Sequence, residues 1–193
     1  MLDVLRKTEA WLSAKGVEQA KVDAEWLVAH GLGLTRLQLF LQHDRPLTEA
    51  ELAQIRPLVA RRGKREPLAY IMGNLPFLGL DLRCDPRALV PRPETEELAE
   101  RLLAELKPAP SHVVDLGTGT GALALALAQA WPEATITGVD LSAEALELAR
   151  ENAARNGLAE RVVWKQGNWL EGLSGPFDLI VANPPYVTVQ AWA

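Results

Sequence analysis

At 193 residues, 48% hydrophobic and 23% charged, the chain has the makings of one large globular domain or two small ones. A single cysteine, Cys84, excludes an internal disulfide and a cysteine-rich metal site, and His30, His43 and His112 are too scattered to ligate a metal together. The net charge of −5 divides into +2 over residues 1–66 and −7 over the remainder, so the acidic part is a poor candidate for tight, sequence-independent binding of nucleic acid.

No metal is therefore expected, and Cys84 reads as an inert packing residue. With no signal-peptide core and no apolar run long enough for a bilayer, a cytoplasmic setting without membrane contact is expected.

The first sixty-odd residues read as helices. Leu2, Leu5, Trp11 and Leu12 form an approximate stripe that Gly16 stops. Ala20, Ala24, Leu27 and Val28 mark a second helix ending at Gly31-Leu32-Gly33, and a short third piece lies around residues 36–41. Thr48 opens a capping box with Glu51, and that helix closes on the cationic run Arg61-Arg62-Gly63-Lys64-Arg65. Cations favour a helix C-terminus in any case; contact with an acidic or RNA partner is the rarer use of such a cluster.

Residues 67–92 alternate β-prone pieces with turn formers (Gly73-Asn74, Leu75-Pro76, Gly79, Asp85-Pro86), as a hairpin-containing linker would. Pro91-Arg92-Pro93 then starts a helix through about Leu106, with Glu94, Glu96 and Glu97 near its positive end. From there the pattern turns to strands at 113–116, 135–140, 162–165 and 177–182. Between the first three lie helices at 122–130 and 143–155, the second capped by Ser142 and stopped by Asn156-Gly157. Strands and helices in this alternation imply a parallel sheet with right-handed crossovers.

Two motifs sit at carboxyl ends of strands, where open α/β sheets bind ligands. Asp115-Leu116-Gly117-Thr118-Gly119-Thr120-Gly121 follows the first strand; its glycines permit positive φ and close approach of a ligand beside a helix N-terminus. Asp140 ends the second strand about twenty residues on, where a carboxylate can accept both hydroxyls of a ribose. That spacing fits a dinucleotide as well and does not identify the cofactor. Asn168, after the third strand, has an amide able to pair with an adenine edge. Trp169 could cover the purine face, a stack worth roughly 1–3 kcal/mol, or could be a core residue.

Asn183-Pro184-Pro185-Tyr186 follows the fourth strand. The prolines remove two backbone donors and bias Asn183 toward an extended shape, leaving a stiff loop with outward acceptors. An amide oxygen, a backbone carbonyl and an aromatic face together can receive a planar group bearing NH2: a carboxamide or an exocyclic base amine.

The segments Glu66-Pro67-Leu68-Ala69-Tyr70-Ile71-Met72-Gly73 and Pro91-Arg92-Pro93-Glu94-Thr95-Glu96, the glycine loop, Val139-Asp140 and Asn183–Tyr186, at these intervals, closely resemble the bacterial PrmC/HemK family. Members are S-adenosylmethionine-dependent N5-glutamine methyltransferases acting on the GGQ-motif glutamine of class 1 peptide-chain release factors. The resemblance runs through essentially the whole chain. It implies an α/β fold: a Rossmann-like methyltransferase sheet, a small all-α N-terminal domain and a β-hairpin linker. The expected domains are 1–66 for substrate docking, 67–92 as linker and 93–193 for methyl transfer. The family's sheet continues past the Asn183 motif, so here it would be incomplete, its fourth strand left with an unpaired apolar edge.

The resemblance also implies roles. Gly117, Thr118, Gly119, Thr120 and Gly121 would wrap the methionine end of S-adenosyl-L-methionine, Asp140 would hold its ribose, and Asn168 and Trp169 would meet the adenine. Many relatives carry Asp at position 168; an amide oxygen still accepts from the adenine amine. Asn183, beside the cofactor, with Pro184, Pro185 and Tyr186, would receive the glutamine. Catalysis would fall to Asn183, Pro184 and Tyr186. A monomer with a release factor as its partner is expected. An adenine-N6 DNA or RNA methyltransferase presents the same pair of donors to its acceptors, and a non-catalytic, partner-binding fragment is a different class of answer. A nicotinamide dehydrogenase fits the glycine loop and leaves Asn183–Tyr186 unexplained.

Overall fold

The structure, a computed structural model, describes residues 1–183. The chain divides into two compact units, Met1–Gly73 and Asn74 onward.

The first unit is helical: α1 (Leu2–Ala14), α2 (Ala20–Gly31), α3 (Arg36–Leu41), α4 (Glu49–Gly63) and α5 (Leu68–Met72). Thr48 and Glu51 form the capping box expected for α4, and Thr35 with Gln38 forms a second one at α3. Leu12, Val17, Ala24, Leu27 and Ile71 make one buried cluster, and Val28, Ala29, Leu39 and Ile55 another. Helix α5 corrects the sequence reading, which took residue 67 onward as β-prone pieces. Five residues cannot hold a helix alone, and the packing of Leu68 and Ile71 on the α1–α2 cluster supplies what propensity does not.

The arginine cluster is used internally. Arg61 donates to Glu66 and to the Tyr70 carbonyl, Arg62 to Asp23 and the Glu66 carbonyl, and Arg65 to the Gly16 carbonyl. Its charge ties the end of α4 to its neighbours.

The second unit opens with an antiparallel hairpin, β1 (Asn74–Phe77) and β2 (Leu80–Arg83). Leu78 and Gly79, both at positive φ, make the two-residue turn that matches strand twist. Leu78 holds that conformation because its N–H donates to Glu96 Oε1, 3.0 Å away. Then follow α6 (Pro93–Glu105), β3 (His112–Leu116), α7 (Ala122–Ala130), β4 (Thr135–Asp140), α8 (Ala143–Arg155), β5 (Val162–Gln166) and β6 (Leu179–Ala182). Strands β3 to β6 form one parallel sheet in the order β5-β4-β3-β6. Val113, Ile136, Val162 and Val181 pack with α7, α6 and the hairpin in the main core, while Val114, Leu116 and Val139 pack with Leu173 and Phe177. The chain runs outward from β3 to β5 and returns on the other side of β3 to β6. That reversal is the switch point at which such sheets bind ligands.

The hairpin is sealed to α8 by two asparagines one turn apart. Asn152 Oδ1 accepts from Arg83 N–H at 2.7 Å, and Asn156 Oδ1 accepts from Asp81 N–H at 2.9 Å. Asn156 also donates to the Asp81 carbonyl and Asn152 to the Arg83 carbonyl, each at 3.2 Å. Side-chain amides thus satisfy the edge of β2 as a neighbouring strand would.

Candidate functional site

Strand register builds the site. Leu116 pairs with Val139 on one side and Ala182 on the other, so Gly117 and Asn183 stand one residue past the paired ends, level with Asp140, the last residue of β4. Adjacent strands lie about 4.8 Å apart, which sets the three residues in a row along one sheet edge.

The glycine loop is held from below. Thr118 Oγ1 donates to Asp115 at 2.6 Å, and Thr118 N–H donates to the Val139 carbonyl at 2.9 Å. Asp115 is 2% exposed; burial first, and the nearby Asp140 charge last, push its pKa up to about 6 against the opposing hydrogen bonds from Thr118 and Ala124. Asn152, fully buried, donates to the Thr120 carbonyl at 2.9 Å, so one side chain joins the hairpin to the loop.

Gly117 and Gly121 are glycines for different reasons. A Cβ on Gly121 would lie 2.9 Å from Trp164 and 3.1 Å from Ala149, so close packing forbids it. A Cβ on Gly117 would meet nothing within 4 Å, so that stretch of backbone faces open space. Asp140 borders this space. Its Oδ2 accepts from Gly119 N–H at 2.8 Å and its Oδ1 from Ser142 N–H at 2.9 Å, with a lone pair to spare on each oxygen.

The loop after β5 is drawn to the same place. Gly167 N–H donates to the Asp140 carbonyl at 3.1 Å and Gln166 Nε2 to the Leu141 carbonyl at 3.0 Å. Trp169 is 56% exposed and holds a left-handed φ of 52°, so it is no core residue. Asn168 is exposed beside it. Leu141, directly after Asp140, is exposed too, and nothing in its sequence context had distinguished it.

Asn183 donates through Nδ2 to Thr95 Oγ1 at 2.6 Å, and no described residue donates to its Oδ1. Thr95 lies in the first turn of α6 and is 8% exposed. The sequence placed it in a recognisable segment and gave it no contact. Pro184, Pro185 and Tyr186 lie outside the described residues. Cys84 is buried with its thiol pushed up to about 11, away from reactivity. Among the described residues no helix is long and apolar enough to cross a membrane.

A glycine loop, a carboxylate and an amide ranged along one edge of a parallel sheet define the class, a Rossmann-like fold of the methyltransferase type. Residues 94–192 match the family model for the methyltransferase small domain, and residues 3–73 match the PrmC N-terminal domain. The chain is 46% identical over 185 residues to a release factor glutamine methyltransferase of Geobacter sulfurreducens, covering 95% of this chain and 64% of that protein. Against proteins of the same name, it is 39% identical to that of Chlorobaculum tepidum (100% of this chain, 69% of the relative) and 47% to that of Deinococcus radiodurans (96% and 66%). The chain belongs to the release factor glutamine methyltransferase family, and spans about two thirds of the length of these relatives.

Proposed function

We propose that this protein transfers a methyl group from S-adenosyl-L-methionine to the side-chain amide nitrogen of the GGQ-motif glutamine in class 1 peptide-chain release factors. One observation carries the reading: an outward amide acceptor, Asn183, shares a sheet edge with the open backbone at Gly117 and the carboxylate of Asp140. The residues present fit the cofactor. Gly117 leaves room beside its backbone, Asp140 keeps free lone pairs for a ribose, and Asn168 and Trp169 are exposed where an adenine would need an amide and a ring face. Bound there, the cofactor would supply an electrophilic methyl group on a sulfonium sulfur.

The protein's own part is orientation. A carboxamide nitrogen is a weak nucleophile because its lone pair is delocalised into the carbonyl. Asn183 Oδ1 accepts one N–H of the glutamine amide, and the carbonyl of Pro184, outside the described residues, would take the other. Positioning of this kind can supply several kcal/mol of a barrier, up to about 7–11 in the best oriented systems. As the nitrogen gains positive character its N–H groups become stronger donors, so both acceptors bind the transition state more tightly than the ground state. Tyr186, also outside the described residues, would supply a ring face for the amide plane. The proton left on the methylated nitrogen departs to solvent, and no general base is required.

In this reading the helical unit docks the protein substrate. Leu37, Phe40 and Leu41 support this, leaving an exposed apolar stripe on the short helix α3. Leu37→Asp with Leu41→Asp should raise KM for an intact release factor several-fold while leaving KM for a short glutamine peptide alone; equal effects on both would refute the docking role.

Labelled cofactor offered a purified release factor, or DNA and RNA, tests the activity. Label on the release factor is expected. Label on nucleic acid would favour the adenine-N6 alternative, and no calorimetric binding of the cofactor would favour a non-catalytic fragment.

A further inference from the structure

A carboxamide has two ends of almost the same shape and opposite chemistry, one a double donor and the other an acceptor. If Asn183 is to receive the NH2 of a glutamine, only its oxygen end is useful. Turned over by rotation about χ2, it would set NH2 against NH2. Nothing in Asn183 itself decides between the two, and a terminal amide torsion is broad and nearly two-fold. The neighbour that holds it is Thr95, and with the threonine oxygen accepting from Nδ2 the oxygen end is the one left free.

Thr95 comes from 88 residues earlier in the chain, and its Oγ1 takes the Asn183 Nδ2–H at 2.6 Å. The hydroxyl is held in place by its surroundings. Pro93 occupies the first turn of α6, Thr95 N–H donates to the Arg92 carbonyl at 2.9 Å, and Ala99, one turn on, is fully buried. Next to it, Glu96 accepts from the hairpin turn at Leu78. The start of α6 is therefore fixed to the hairpin on one side and to Asn183 on the other.

We propose that Thr95 is the positioning residue of this site: by holding the Asn183 amide through its nitrogen end, it anchors that side chain at the sheet edge with the oxygen end free for the substrate. The inference rests on the reading that Asn183 receives the glutamine amide. It assigns Thr95 no contact with substrate or cofactor, so its effect falls on turnover rather than on binding of either.

Thr95→Val removes the hydroxyl at nearly constant shape, Thr95→Ser restores it, and Asn183→Ala is the reference. Steady-state methylation of a release factor, calorimetric cofactor affinity and thermal melting are measured for each. For Thr95→Val, kcat should fall about 10- to 100-fold while KM and cofactor Kd stay within about two-fold. Thr95→Ser should return kcat to within about three-fold of the parent. Normal kcat in Thr95→Val with Asn183→Ala inactive overturns the Thr95 role and leaves the function intact. Normal turnover by Asn183→Ala overturns the reading beneath it. If Thr95→Ser is as impaired as Thr95→Val and both melt early, Thr95 is structural only. Should Thr95→Val not fold, Thr95→Ala carries the same comparison, with the same outcomes deciding.

Discussion

The two edges of the sheet treat their polar groups in opposite ways. At the amino edge, Asp178 accepts the backbone N–H groups of Ser111 and His112 through one oxygen, both at 2.9 Å, while its own N–H donates to the His112 carbonyl. Those bonds clasp β6 to β3 and close the edge. At the carboxyl edge, Asp140 likewise holds two backbone N–H groups, yet one on each oxygen, so each keeps a lone pair to spare. Asn183 spends its nitrogen on Thr95 and keeps its oxygen. A polar group that finishes its bonding within the chain closes structure, and one that is oriented by the chain but left unfinished is equipped for a ligand.

Substitutions can break this contrast, and the largest effect belongs to the unfinished edge. Asn183→Ala should lower methyl transfer by roughly 10²–10³-fold, the cost of deleting one oriented polar group at a reacting centre, with cofactor affinity unchanged by calorimetry. Asn152→Ala should cost on the order of 3–4 kcal/mol in urea unfolding, because it strands the Arg83 N–H and carbonyl and the Thr120 carbonyl together. Cofactor affinity should fall with it, since Thr120 lies in the loop; a mild, surface-like effect would contradict the junction described.

Acidity sharpens the comparison. Asp115 has a folded pKa of about 6, above its unfolded value of 3.8, so the folded state holds its proton more tightly. Its contribution to stability is therefore most favourable at low pH, declines as pH rises from about 4 to 6, and is level above about 7. Against Asp115→Asn, which does not titrate, the parent should lose on the order of 2–3 kcal/mol across that window, followed by melting at each pH. Asp178 has the opposite sign: backbone N–H groups of His112 and Ser111 hold its pKa below the ordinary aspartate value of 3.8. Its stabilisation is present above the unfolded pKa and is lost as pH falls through the folded one. Asp178→Ala should give the smallest effect, a slightly lower melting temperature at neutral pH with methyl transfer untouched.

Much of this was legible in the sequence because local chemistry and tertiary outcome agree. Thr48 and Ser142 cap the helices they were read to cap, Pro93 starts α6, and the alternation from residue 112 onward gives the parallel sheet. The chain's family was legible for the same reason, since its motifs stand at strand ends at fixed intervals. Helix α5 was not, because one turn of helix owes its existence to packing by Leu68 and Ile71. Asn156 read as a helix stop, and its bonds to Asp81 need a hairpin 75 residues away in sequence. Trp169 fits either a core or a purine-covering role by sequence, and only its positive φ and exposure place it at the surface. Thr95 sat inside a recognised segment, but a partner 88 residues distant leaves no local trace.

The most direct test is to methylate an intact release factor and locate the product by tandem mass spectrometry. A single methyl group on the side-chain nitrogen of the GGQ glutamine, absent with Asn183→Ala, is the predicted result. Methyl groups found on any other residue, or on that glutamine undiminished when Asn183 is removed, would contradict it.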